Sequence, residues 1–168
     1  LNDGATFIDV GAYSSRPNAL HISQDEELSR LIPVLEIIIK EFPDTFISID
    51  TFRSRVAKDA VAIGACMVND ISGGSQDEKM FVTIAGLQVP YILMHMVGTP
   101  QNMQQHQDYD NLIKDIIFYF SQKVFALRQL GVNDLILDPG FGFSKSLDQN
   151  YEMLQKMELF SCFDLPIL

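Results

Sequence analysis

Five short apolar runs punctuate the chain, and each ends in a polar or acidic residue followed by a break. They are Phe7-Ile8-Asp9-Val10-Gly11, Phe46-Ile47-Ser48-Ile49-Asp50-Thr51, Cys66-Met67-Val68-Asn69-Asp70, Tyr91-Ile92-Leu93-Met94-His95 and Leu135-Ile136-Leu137-Asp138-Pro139-Gly140. Runs this short and this continuously apolar predict parallel strands whose outer side is covered by helices. A segment of helical periodicity follows each run. One carries the stripe Leu28, Leu31, Ile32, Leu35 and Ile38, with Pro33 inside it predicting a kink or a delayed start. Ser23, Ser75 and Ser146 each open a capping-box pattern and so predict three helix starts. Thr51 is placed to cap a helix carrying Val56, Ala60, Val61 and Ile63, which Gly64 ends. The longest helix is predicted from about Tyr109 to Leu130, closed by Gly131.

Strand and helix alternate throughout, which predicts a parallel sheet with right-handed crossovers. A barrel and an open doubly wound sheet both satisfy that rule. Side chains alternate along a strand, so Phe46, Ser48 and Asp50 share one face and Ile47 and Ile49 the other. Small and acidic residues on one face suit a barrel interior, and the isoleucines suit the helix side, so the pattern favours a barrel. In either architecture the C-terminal strand ends lie on one face, where ligands bind. Asp50, Asn69 and Asp138 therefore converge although they are far apart in sequence.

The 168 residues, 47% of them hydrophobic, suffice for one core and give a single domain, 1–168. A complete (β/α)8 TIM barrel runs to about 250 residues. Five strand-plus-helix units precede the start of a sixth strand at Pro166-Ile167-Leu168, and the first residue is Leu. The expectation is an internal piece of such a barrel, roughly its strands 2 to 6 and the start of strand 7. By itself this piece is expected to be poorly soluble or inactive. No run approaches the roughly 20 apolar residues of a membrane span, so no membrane partner is expected. The net charge of −10 argues against nucleic acid and anionic membranes. Cys66 and Cys162 lack metal-ligand spacing and read as reduced, buried thiols of a cytoplasmic protein.

Three side chains carry the candidate chemistry. A buried carboxylate costs several kcal/mol unless it is paired, so Asp50 and Asp138 need partners. A carboxylate accepts two parallel N–H bonds from the edge of an aminopyrimidinone ring, and Asn69 adds a donor and an acceptor. The set suits a flat, nitrogen-rich heterocycle. In the loop Gly11-Ala12-Tyr13-Ser14-Ser15-Arg16-Pro17, Ser15 offers a hydroxyl and Arg16 a guanidinium, groups that fit a phosphate or diphosphate. Arg53, Arg55 and Lys145 also follow strand ends and are further candidates for an anion. The segment 138–145 adds two glycines for close backbone approach and the ring faces of Phe141 and Phe143. His95 reads as a hydrogen-bonded core residue, and no Ser or Cys has a recognisable His base. His21 and His106 form no metal-ligand pattern with it.

Taken in order and spacing, Ile8-Asp9-Val10-Gly11 through Ser15-Arg16-Pro17, Ser48-Ile49-Asp50-Thr51, Val68-Asn69-Asp70-Ile71-Ser72-Gly73-Gly74, Leu93-Met94-His95-Met96 and Ile136-Leu137-Asp138-Pro139-Gly140-Phe141-Gly142-Phe143 resemble the dihydropteroate synthases. The resemblance spans essentially the whole chain. It implies a barrel that joins 4-aminobenzoate to (7,8-dihydropterin-6-yl)methyl diphosphate, releasing diphosphate, in folate biosynthesis. It places Asp50, Asn69 and Asp138 at the pterin, with Asp50 the catalytic residue that stabilises positive charge on the ring. Ser15, Arg16, Pro17 and Phe141 fall on the aminobenzoate and diphosphate side. It further implies Mg2+ held by a ligand outside this segment, and it leaves room for a homodimer. Ser15 stands where the family usually has Thr, Tyr13 where it has Glu, and Asn18 where it has Gly. Two other readings share the barrel: a pterin-dependent methyltransferase domain, against which the Ser-Arg-Pro loop argues, and a non-catalytic pterin-binding module.

Overall fold

All five expected strands form, and they pair in chain order. The computed structural model describes residues 1, 4–16 and 19–168, so Pro17 and Asn18 lie outside the described residues. The elements are β1 (Phe7–Val10), α1 (Gln24–Glu41), β2 (Phe46–Asp50), α2 (Ser54–Ile63), β3 (Met67–Asp70), α3 (Met80–Leu87), β4 (Tyr91–Met94), α4 (Leu112–Gln129), β5 (Leu135–Asp138) and α5 (Leu147–Gln155). The strands are all parallel, in the order β1-β2-β3-β4-β5. An open doubly wound sheet reverses its order at a switch point. Here every new strand adds to the same edge, which is how a barrel wall winds. A sixth strand starts beside β5, where Ile167 bridges Leu137 and the Leu168 N–H donates to the Leu137 carbonyl at 2.9 Å.

The alternation read from β2 holds across the wall. Ile47 and Ile49 are buried against Leu28, Leu31 and Leu35 of α1 and Val56 and Ala60 of α2. On the other half, Val68, Tyr91, Leu93 and Leu137 pack with Ile116, Phe120 and Leu127 of α4. Each fully buried side chain of this size contributes about 1.5–3 kcal/mol, so the helix-facing layer holds the wall together. The opposite face of the strands lines an open cleft of about 370 Å³ that includes Asp9, Ser48, Met67, Asn69, Ile92 and Ile136.

Helix boundaries depart from the sequence pattern where side chains find distant partners. Ser23 accepts the Glu26 N–H, and Ser146 with Gln149 completes a capping box. Ser75 starts no helix, and α3 begins at Met80. The intervening turn is gathered by Asp70, whose carboxylate accepts the N–H groups of Ser72 (2.7 Å) and Gly74 (2.8 Å). Nor does Thr51 cap α2: its hydroxyl donates to Glu27 at 2.7 Å, and the first helical N–H, of Ser54, goes to Asp77 at 2.7 Å. Pro33 lies inside α1 without ending it, and both it and Ser29, whose carbonyl loses its helical partner, are exposed residues. α4 starts at Leu112, capped by Asn111, and matches α1 at 18 residues rather than exceeding it. Both cysteines are free thiols, Cys66 half-buried and Cys162 exposed, so the expectation of two buried thiols fails at Cys162.

Candidate active site at the strand ends

Asp50 and Asn69 are direct register partners at the ends of β2 and β3, and Asp138 is the partner of Met94 at the end of β5. All three stand on the cleft-facing side of the wall. Asn69 is further tied to a residue that sequence reasoning left out of the site. Its Nδ2 donates to Asp9 Oδ2 at 2.9 Å, reaching from β3 across β2 to β1. Asp9 pairs in register with Ser48, one pleat below Asp50, so the contact is diagonal. The signal was present in the first apolar run, where Asp9 takes the same alternate position as Ser48 in the second. The turn after β1 comes close to Asp50 because Gly11 has no side chain: a Cβ there would lie 3.0 Å from Asp50 Cβ and 3.1 Å from its Oδ2.

Asp50 accepts no hydrogen bond from a described residue, and its environment disfavours the anion. Burial, then the neighbouring charges of Asp9, Asp70 and Glu27, raise its pKa to about 7. In the unfolded chain the same carboxyl ionises near the ordinary aspartate value. The folded state therefore holds a proton through the interval between, and Asp50 lowers stability progressively as pH rises from about 4 to about 7. Asp50→Asn is expected to be more stable than the parent by on the order of a few kcal/mol at pH 8. That difference should vanish near pH 4. Urea unfolding at the two pH values checks this, and a constant difference would mean that Asp50 is not desolvated as described.

Asp138 is partly committed. Its Oδ1 accepts the Gly140 N–H at 2.8 Å, the loop contact expected of an aspartate at a strand end, which leaves Oδ2 for a ligand. Burial raises its pKa, against the lowering effects of that N–H and of Lys145. The loop itself is folded around Lys145. The buried ammonium donates to the carbonyls of Gly140 (3.1 Å) and Phe143 (2.9 Å) and to His95 Nδ1 (3.0 Å). Gly140, at φ 73°, passes so near that any Cβ would strike the His95 carbonyl oxygen. Burial and then the Lys145 charge lower His95 to about 3, and burial lowers Lys145 to about 7. His95 is thus a neutral core acceptor packed edge-on to Tyr119, as its sequence context suggested, and not a base.

Of the cations considered for an anion, only Arg16 stays exposed without a structural role in view. Lys145 is consumed as described. Arg53 is buried and pairs with Glu27 at 2.6 Å while its other nitrogen donates to the Ile22 carbonyl. Its guanidinium also lies 5.3 Å from the Tyr13 ring centroid and 5.2 Å from that of Phe52. Tyr13 therefore anchors the loop after β1 by stacking, edge-on to Phe52 at 4.9 Å. Arg55 is exposed and pairs with Asp25 at 3.0 Å. Ser15 is half-buried and Phe141 exposed on the strand-end side, and no hydrogen bond joins Ser15, Arg16 or Phe141 to the three pterin candidates among the described residues. No group of three or more His, Cys, Asp or Glu is placed to hold a metal among the described residues. Nor is any helix among them long and apolar enough to cross a membrane.

A barrel wall with carboxylates and an amide gathered at its strand ends has close counterparts. The family described as pterin binding enzyme matches residues 1–168, and the chain belongs to that family. Within it, dihydropteroate synthase of Escherichia coli (strain K12) is 40% identical over 170 residues, covering 100% of this chain and 60% of that protein. Folic acid synthesis protein fol1 of Pneumocystis carinii is 47% identical over 175 residues, covering 100% of this chain and 24% of that protein. Among solved structures, Yersinia pestis dihydropteroate synthase in a sulfonamide drug complex superposes with a TM-score of 0.93 at 39% identity, over 99% of this chain and 60% of that one. The chain therefore spans about 60% of the length of these bacterial relatives. Its five parallel strands form part of a (β/α)8 barrel.

Proposed function

We propose that the protein carrying this chain is a dihydropteroate synthase, joining (7,8-dihydropterin-6-yl)methyl diphosphate to 4-aminobenzoate with release of diphosphate. The observation that carries the reading is the Asp50–Asn69 register pair with Asp138 on the same face, in a chain so close to proteins of that name. A relative supports the second substrate: the Xanthomonas albilineans enzyme, 33% identical with a TM-score of 0.90 over 99% of this chain and 59% of that one, was solved with 4-aminobenzoic acid. In the reaction the methylene carbon–oxygen bond breaks with its electron pair going to diphosphate. The aniline nitrogen lone pair forms the new carbon–nitrogen bond, and that nitrogen gives its proton to solvent. Positive charge develops on the pterin between these events. Asp50 stabilises it, because a carboxyl poised near pH 7 ionises readily when a cation forms beside it. Asp138 Oδ2 and Asn69 orient the ring, while Ser15, Arg16, Pro17 and Phe141 serve the aminobenzoate and diphosphate side.

Mg2+ belongs to this reading as a partner of the diphosphate. The described residues offer it no ligand cluster, so none of the steps above is assigned to it. A cytoplasmic homodimer completes the proposal, on the ground of the family resemblance alone. The full-length protein, given both substrates, is expected to release diphosphate and dihydropteroate, and to do neither with one substrate omitted. Pterin binding without product would instead favour a non-catalytic module. Transfer of a methyl group from a reduced pterin, with no condensation product, would favour the methyltransferase reading.

A further inference from the structure

We infer that Asp9 is a positioning residue that fixes the orientation of the Asn69 amide, making Asn69 a hydrogen-bond donor toward the ligand. This rests on the pterin reading of the site and adds a residue and a direction to it. An asparagine amide is ambiguous by itself, since turning it over exchanges a donor for an acceptor. Two observations remove the ambiguity here. Asn69 Nδ2 is held by Asp9 Oδ2 at 2.9 Å, and a carboxylate accepts from nitrogen but not from the amide oxygen. Asn69 Oδ1, meanwhile, is buried and has no hydrogen-bond partner, although the residue as a whole is partly exposed. With Oδ1 buried, the amide atom left to meet the cleft is the nitrogen, with one N–H on Asp9 and the other without a partner among the described residues. The ring atom that meets it must carry a lone pair, as an unprotonated ring nitrogen or a carbonyl oxygen does.

Asp9 is suited to this by its place in the wall. It reaches Asn69 diagonally across β2, where its own register partner is the small residue Ser48. A larger residue at position 48 would separate the two. Without Asp9, the amide would turn freely, and the ligand would have to select the productive orientation. That selection lowers affinity by the fraction of time spent in the wrong one, and loses the charge-assisted bond as well.

The test measures affinity for (7,8-dihydropterin-6-yl)methyl diphosphate by calorimetry in the full-length protein, with folding checked by thermal melting. Asp9→Leu is expected to weaken binding about tenfold, the scale of one lost hydrogen bond to a charged group. Asp9→Asn is expected to recover most of that loss, because its side-chain oxygen can still accept from Asn69 Nδ2. On an Asn69→Ala background, Asp9→Leu is expected to change affinity by less than about threefold, since its effect through the amide is gone and only the loss of its charge beside Asp50 remains. An undiminished tenfold loss on that background, or unchanged affinity in a folded Asp9→Leu, would overturn the inference while leaving the pterin reading intact. If Asp9→Leu does not fold, failure of Asp9→Asn to bind within about threefold of the parent overturns it instead. A parent protein with no affinity for the pterin would overturn the function itself, and the inference with it.

Discussion

Asp50→Asn in the full-length protein is expected to cut turnover by about 10²–10³-fold, the loss seen when a single preorganised electrostatic stabiliser is removed. The substitution keeps the shape of the side chain, removes its ability to become an anion and turns one acceptor oxygen into a donor. Asp50 accepts no hydrogen bond from a described residue, and burial with nearby carboxylates raises its pKa to about 7. It is therefore free of structural duty and expensive to ionise in the empty site, so the ring cation supplies the stabilising partner that the protein withholds. Ground-state affinity should fall much less than turnover, which pre-steady-state binding measured beside single-turnover rates will resolve. Equal losses in both would make Asp50 a binding residue only. The same variant should gain stability at pH 8, as described above, and urea unfolding of the variant separates a catalytic loss from a loss of fold.

The second large effect is expected at Asp138. Asp138→Ala should weaken pterin binding by about 2–4 kcal/mol, because the ligand N–H groups it served would be buried without an acceptor. Its Oδ1 also holds the Gly140 N–H at 2.8 Å, and part of the loss will come from the freed turn. Asp138→Asn separates the two contributions: its oxygen keeps the Gly140 contact, while its amide nitrogen meets ligand donors with a donor. Calorimetry is expected to give Asp138→Asn nearly the full loss. Unchanged affinity in either folded variant would remove Asp138 from the ligand.

The cationic side of the site is narrower than four basic residues after strand ends suggested. Arg53 and Lys145 are held inside the protein by Glu27 and by loop carbonyls, and Arg55 pairs with Asp25 on the surface. That leaves Arg16 as the candidate for diphosphate within the described residues. The buried Arg53–Glu27 pair instead ties α1 to the turn after β2 that carries Thr51. Removing one partner of such a pair leaves an uncompensated buried charge, so this pair is a poor target for probing substrate binding.

Much of this protein was determined by local sequence. The strand runs fall within a residue or two of β1 to β5, because a strand buried on one side by helices has to be apolar at alternate positions, and that requirement is written in consecutive residues. Asp50, Asn69 and Asp138 were legible for the same reason: each interrupts an apolar run where packing alone would not place a polar group. Only the tertiary structure decided what depends on partners far apart in the chain. Strand order settled the barrel, which the Ser48 and Asp50 face of β2 had favoured, over the doubly wound sheet, since strand–helix alternation is identical in both. Ser75 and Thr51 matched capping patterns but found Lys123 and Glu27 as partners, 48 and 24 residues away. Asp9 joined the site through a diagonal contact 60 residues away in sequence. Periodicity records which face a residue is on, whereas a hydrogen bond goes to whichever partner the assembled wall brings within 3 Å, and that choice is made only when the strands tilt and close on one another.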